Sequence, residues 1–220
     1  MAWRAPKIAA TWAILFISLS FTGWNCKQNK SKTLPYYVSP NFTPHWQITP
    51  ALDHTIATFS AYNQNGEIIT QHVLKDKISL VNFFFTSCGS ICPKMTKNLK
   101  WVMDSLRLEP KVQCLSFTVT PWIDSLPRLK KFANRYQILT PQWHLLNGPK
   151  TMIYPLARRS FFAEEEPGYD KSNGEFLHTE LVLLVDQNLR LRGVYNGTQK
   201  FDAEKMIEDI HILLNNEPKP

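Results

Sequence analysis

Phe83-Phe84-Phe85-Thr86-Ser87-Cys88-Gly89-Ser90-Ile91-Cys92-Pro93 is the stretch whose reading decides the fold. On its N-terminal side, Ile78 to Phe85 is an almost continuous apolar and aromatic run rich in strand formers, the pattern of a central strand buried on both faces. From Pro93 the period changes. Met95, Leu99, Val102 and Leu106 fall on one helical face, while Lys94, Lys97 and Lys100 lie elsewhere on the cylinder. Pro93 suits the first turn of that helix, because its missing N–H has no intrahelical role there. Strand, short loop and helix therefore follow one another, with both thiols at a helix N-terminus, where the dipole and free N–H groups favour thiolate. The four-residue offset puts both sulfurs on one side of a turn with a gap that admits a metal. A tighter Cys-x-x-Cys spacing favours quick disulfide exchange instead.

Working outward, Thr58–Tyr62 and Glu67–Thr70 read as a hairpin about the turn Asn63–Gly66. After the helix come a strand at Val112–Val119 and a helix at Ser125–Tyr136, capped by Asp124 or Ser125 with Pro127 in its first turn. A short strand at Trp143–Leu146 and a helix at Lys150–Ser160 lead into a polar loop that runs to Glu175. Strands at Glu180–Val185 and Leu189–Tyr195, joined by a turn at Asp186–Asn188, and a helix at Asp202–Leu214 close the pattern. This alternation predicts an α/β layered domain over residues 51–216. Residues 27–50 are polar, hold Pro35, Pro40, Pro44 and Pro50, and show no period, so they read as a flexible tether.

Residues 1–26 read as a leader. Arg4 and Lys7 precede an uncharged apolar run, Ile8–Phe21, of signal-peptide length and short for a bilayer core of about 30 Å. The lone Cys26 that follows, ahead of a polar stretch, resembles a bacterial lipoprotein signal, with Cys26 becoming the lipidated N-terminus, although Trp24 and Asn25 depart from the small residues of such a box. An uncleaved membrane anchor and plain secretion are the other readings. All three put the domain in the cell envelope on the extracytoplasmic side, in the periplasm. The formal charge of +7 is scattered among acids rather than gathered in a stripe, which argues against nucleic-acid binding. The eight glycines are dispersed singly, which excludes a glycine-rich phosphate loop.

The aromatic strand followed by Cys88-x-x-x-Cys92-Pro93 resembles the Sco proteins, also called SenC or PrrC, over most of residues 56–215. Thr118-Val119-Thr120-Pro121 with Asp124, and Phe176-Leu177-His178-Thr179 before an apolar strand, agree with two further family segments, except that the family commonly has Asp where Thr120 stands. The resemblance implies a thioredoxin-like, peroxiredoxin-like central sheet with flanking helices and an N-terminal β-hairpin. It also implies copper as the bound metal, with Cys88, Cys92 and His178 as ligands. The implied partner is the copper-bearing subunit of cytochrome c oxidase or another copper protein. Two thiolates and one imidazole make a soft site suited to Cu(I), and with an added oxygen donor to Cu(II). Zinc is the rival metal, but structural zinc usually takes four protein ligands and no fourth is evident.

Other readings stand beside these. Cys88 and Cys92 as only a structural or redox disulfide is the competing reading in an oxidising compartment. An extracytoplasmic thiol–disulfide oxidoreductase that reduces partner cysteines before metal loading therefore needs the thiols and not His178. A peroxidase would want a threonine-rich context before one reactive Cys, which is not found. Cys114 reads as an inert core thiol and Met95 as part of the apolar stripe. His45, His54, His72, His144 and His211 read as ordinary hydrogen-bonded residues, and Glu164-Glu165-Glu166 as a solvated loop run with a partner-facing role as the alternative.

Overall fold

The structure is a computed structural model, in which residues 1–3, 33–163 and 179–216 are described. The chain divides into two units, Met1–Ser31 and Lys32–Pro220. In the first, Met1–Trp3 carry no regular structure. The described residues of the second hold nine strands: β1 (Tyr36–Tyr37), β2 (Pro44–His45), β3 (Ser60–Tyr62), β4 (Ile68–Thr70), β5 (Ile78–Phe84), β6 (Val112–Thr118), β7 (Trp143–Leu146), β8 (Leu181–Val185) and β9 (Leu191–Asn196). Its α-helices are α1 (Ile91–Ser105), α2 (Leu126–Arg135), α3 (Lys150–Pro155) and α4 (Lys200–Asn215).

Seven strands form one sheet in the order β2-β1-β9-β8-β5-β6-β7. β5, β6 and β7 run parallel, and β8 lies antiparallel against β5. All seven residues of β5 are buried, as a strand covered on both faces requires. Its side chains alternate between two cores. Ile78, Leu80 and Phe84 join Met95, Leu99 and Val102 of α1, Leu129 and Phe132 of α2 and Ile210 of α4. Val81 and Phe83 join Phe59, Phe117, Ile153 and Tyr154 on the other face. Each large side chain so buried contributes about 1.5–3 kcal/mol.

One polar rung crosses the α1-side core. Trp143 Nε1 donates to Ser116 Oγ at 2.9 Å, Ser116 Oγ donates to Asn82 Oδ1 at 2.6 Å, and Asn82 Nδ2 donates to Met95 Sδ at 3.8 Å. Each group finds a partner, which is the condition for burying it without a desolvation penalty. Met95 is fully buried in this arrangement and packs as a core residue.

The hairpin β3–β4 forms a separate two-stranded sheet. In its turn, Asn63 Oδ1 accepts the N–H groups of Asn65 and Glu67. Gly66 supplies the left-handed residue at φ +82°, where a side chain would be strained. Helix α3 ends at Pro155 and continues as a single π-helical turn over Leu156–Ser160, in which Phe161 N–H reaches Leu156 O at 3.1 Å. The expected α-helix to Ser160 therefore widens over its second half. Pro155 ends the α-helical part, and a π turn is the wider alternative a chain takes over a single turn.

The tether expected over residues 27–50 is corrected for its described part. β1 pairs with β2 and with β9, so residues 36–45 extend the main sheet. Arg192 of β9 holds them. Its Nη2 donates to Leu34 O at 2.7 Å, its Nε to Pro35 O at 3.0 Å, and its guanidinium lies 3.9 Å from the Tyr36 ring centroid. Two-residue strands carry no readable period, so carbonyls captured by a distant arginine leave no mark in the local sequence.

Candidate metal centre

The chain leaves β5 at Phe84 and reaches α1 through Phe85–Ser90, at the C-terminal end of the parallel strands. Cys88 N–H donates to Phe85 O at 3.2 Å, which folds the loop back on itself. Helix α1 begins two residues before Pro93, so Cys92 lies inside its first turn and Cys88 just ahead of it. Cys92 N–H is directed at Cys88 Sγ, 3.4 Å away. Both sulfurs are free thiols, Cys88 half-buried and Cys92 only 3% exposed.

The two thiols differ electrostatically. Partial burial disfavours the Cys88 thiolate, but the N–H groups of Cys92, Ser90 and Ile91 and the Cys92 thiol outweigh it, so its pKa falls below that of an ordinary thiol. Burial pushes Cys92 up to about 12, with the charge and hydrogen bond of Cys88 adding to the rise. Burial also raises Cys114, which is enclosed in β6. Iodoacetamide at neutral pH is therefore expected to alkylate Cys88 more than about tenfold faster than Cys92 or Cys114. The rate should rise with pH about a midpoint below that of a free thiol. Peptide mass spectrometry over a time course measures it, and equal rates at Cys88 and Cys92 would refute the asymmetry.

A buried carboxylate fixes the loop from below. Asp124 has no exposed surface, and its Oδ2 accepts Thr86 N–H at 3.1 Å and Thr120 Oγ1 at 2.9 Å. The hydroxyl of Thr86 donates to Oδ1 and that of Thr118 to Oδ2. Arg128 completes the group, with Nε 2.6 Å from Thr86 Oγ1 and 3.5 Å from Asp124 Oδ1. Of the two candidate caps, Asp124 is thus engaged elsewhere. Ser125 holds the N-cap position of α2 without a side-chain cap bond, and the Asp124 carboxylate is spent on three threonines. Thr120 is one of those donors.

His178, Cys26 and Glu164-Glu165-Glu166 lie outside the described residues. Thr179, next to His178 in the chain, is described and buried, and its Oγ1 accepts Leu181 N–H at 3.1 Å at the start of β8. Because β8 is antiparallel to β5, with Val182 opposite Asn82, the chain entering β8 arrives at the end of the sheet from which the Cys88 loop departs. Among the described residues no group of three or more His, Cys, Asp or Glu forms a metal cluster, so the described part of the site is the two sulfurs. The remaining histidines have other partners or other places. His54 Nε2 is 2.9 Å from Ser160 O, His144 Nδ1 is 3.2 Å from Asn63 Nδ2, His72 is beside Gln71, His45 is in β2 and His211 is on α4.

A family model described as SCO1/SenC matches residues 49–215. The chain belongs to the SCO1/SenC family. A SCO1/SenC family lipoprotein from Bacillus anthracis is 30% identical, with a TM-score of 0.65 over 74% of this chain and 96% of that one. BsSco, a member of the Sco family of cytochrome c oxidase assembly proteins in which a disulfide switch has been identified, is 29% identical. Its TM-score is 0.63 over 78% of this chain and 99% of that one. A copper-bound ScoI from Bradyrhizobium japonicum, at 23% identity and a TM-score of 0.58 over 73% of this chain and 99% of that one, shares the fold. The sheet and helices are thus those of a SCO1/SenC, thioredoxin-like domain. Among the described residues no helix is long and apolar enough to cross a membrane.

Proposed function

We propose that this chain binds copper through Cys88, Cys92 and His178. In this reading it delivers the metal to the copper-bearing subunit of cytochrome c oxidase or another copper protein. It works on the extracytoplasmic side of a membrane, attached by its N-terminal segment with Cys26 as the lipidation site. The observation that carries the reading is the pair of thiols at the start of α1, Cys92 in its first turn and Cys88 just ahead of it, with Cys92 N–H 3.4 Å from Cys88 Sγ. The family's role in oxidase assembly and a copper-bound relative support it. Two thiolates with an imidazole form a donor set for Cu(I), and one further oxygen donor adapts it to Cu(II). Copper is the cargo in this scheme. Cys88, already inclined to thiolate, makes the first bond, and Cys92 gives up its proton on metal binding. Transfer proceeds when donors of the recipient replace these ligands one at a time.

The test is copper titration of the reduced full chain, with metal analysis and absorption spectra. Wild type is expected to hold one copper per chain. His178→Ala should weaken binding by more than about tenfold, since even outer-sphere partners of a metal site contribute that much. Unchanged affinity in the variant overturns the three-ligand site.

The thiol asymmetry favours a second reading, thiol–disulfide exchange. The Cys88 thiolate attacks one sulfur of a partner disulfide, and the other sulfur leaves as a thiolate that takes up a proton. Cys92, deprotonated, then attacks Cys88 Sγ and releases the second partner thiol. Two electrons pass to the partner, and a Cys88–Cys92 disulfide forms. This route needs no His178, so exchange activity that survives His178→Ala while copper is not retained would select it.

A further inference from the structure

Arg128, Lys131 and Arg135 recur at helical spacing along one exposed face of α2. They line a cleft of about 590 Å³ together with Thr86, Ser125 and Phe132. We propose that this cleft is a docking groove for a carboxylate-rich segment of a partner protein, positioned so that the partner meets the chain beside Cys88. That the partner is the copper recipient rests on the function proposed above; the groove itself does not.

Charge complementarity is the first argument. Helix α2 carries no acidic residue, and the nearest carboxylate, Asp124, is fully buried and already saturated by Thr86, Thr118 and Thr120. Among the described residues, no carboxylate lies within ion-pair distance of Lys131 or Arg135. On α4, by contrast, Lys200 and Lys205 have acidic partners on their own helix. Lys131 and Arg135 without a carboxylate partner, beside Arg128 whose carboxylate contact is the buried Asp124 3.5 Å away, favour an anionic occupant in this concave site.

Position is the second. Thr86, two residues before Cys88, forms part of the groove wall, and Arg128 Nε donates to its hydroxyl at 2.6 Å. An acidic side chain seated on Arg128 therefore touches the residue that anchors the Cys88 loop. The shape adds to this. The groove floor is Phe132, 8% exposed and packed on Phe84. An aromatic floor between cationic walls fits a protein surface, whose rim is charged and whose centre is aromatic or aliphatic.

The experiment uses fluorescein-labelled octaglutamate as probe and fluorescence anisotropy on the reduced full chain in low salt. Saturable binding is expected, weakening as salt is raised. Lys131→Glu with Arg135→Glu should weaken it by about tenfold or more, Lys131→Gln with Arg135→Gln by less, and Lys200→Glu on α4 not at all. The double reversal should retain copper binding, and the probe should still bind a Cys88→Ser, Cys92→Ser variant, so loss of either activity reports on a different reading. Circular dichroism establishes that each variant is folded. No saturable binding, or equal loss in Lys200→Glu, overturns the groove. Binding to phosphatidylglycerol vesicles that depends on Lys131 and Arg135, with no binding of octaglutamate, overturns it in favour of a membrane-facing surface.

Discussion

Replacing Cys88 and Cys92 together by serine is expected to abolish stoichiometric copper binding in the full chain. Either single replacement should lower affinity by more than about a hundredfold, because loss of a direct soft donor exceeds the cost of losing an outer-sphere partner. The two single variants should differ in a second respect. Removing Cys92 leaves Cys88 half-exposed with its pKa still lowered by the N–H groups at the start of α1, so it remains open to alkylation and to mixed-disulfide formation. Removing Cys88 leaves a sulfur that burial keeps protonated, and the variant should be nearly inert toward both reagents. Metal analysis after gel filtration measures the first effect, and mass spectrometry after alkylation the second. Full copper retention by the double variant would move the site away from α1 altogether.

The second large effect belongs to a residue that would touch no metal. Asp124→Ala leaves the N–H of Thr86 and the hydroxyls of Thr86, Thr118 and Thr120 without their acceptor, and leaves Arg128 beside an empty space. Buried donors that lose a charged acceptor cost about 1–3 kcal/mol each, not fully additively, so a destabilisation of about 3–5 kcal/mol is expected. In a domain of this size that lowers Tm by roughly 10 °C. Asp124→Asn keeps the shape and one acceptor oxygen and should cost less than half as much. Thermal unfolding followed by circular dichroism checks both. A change in Tm under 2 °C for Asp124→Ala, on the scale of about 1 kcal/mol or less, would show that the threonines find other acceptors.

β5 and α1 were legible because burial on two faces and a helical stripe each leave a period, and Cys88-x-x-x-Cys92-Pro93 sits at the point where one period gives way to the other. The Asp124 cluster was not legible as a cluster. Thr86 and Thr118 are far apart in sequence, and only the parallel register of β5 with β6, which sets Phe84 beside Thr118, brings their following loops together. The nearest signal was three threonines within reach of strand ends and one aspartate before a helix, and local rules offered that aspartate, or Ser125 after it, to the helix as a cap. Similarly, the bond from Arg192 to Leu34 O spans 158 positions and depends on the β8–β9 hairpin being in place.

That N-terminal strap also decides what may be cut away. Sheet edges expose unpaired N–H and C=O groups that recruit other chains, and natural proteins cover them. Here β1 sits against the start of β9, with Tyr37 opposite Leu191, so that end of the strand is covered only while residues 33–50 are present. A chain trimmed to begin at residue 51 would uncover that end of β9, strip Arg192 of two carbonyls and an aromatic ring, and lengthen the free β-edge offered to its neighbours. Self-association of such a fragment would then report on a missing strap and say nothing about how the intact protein assembles.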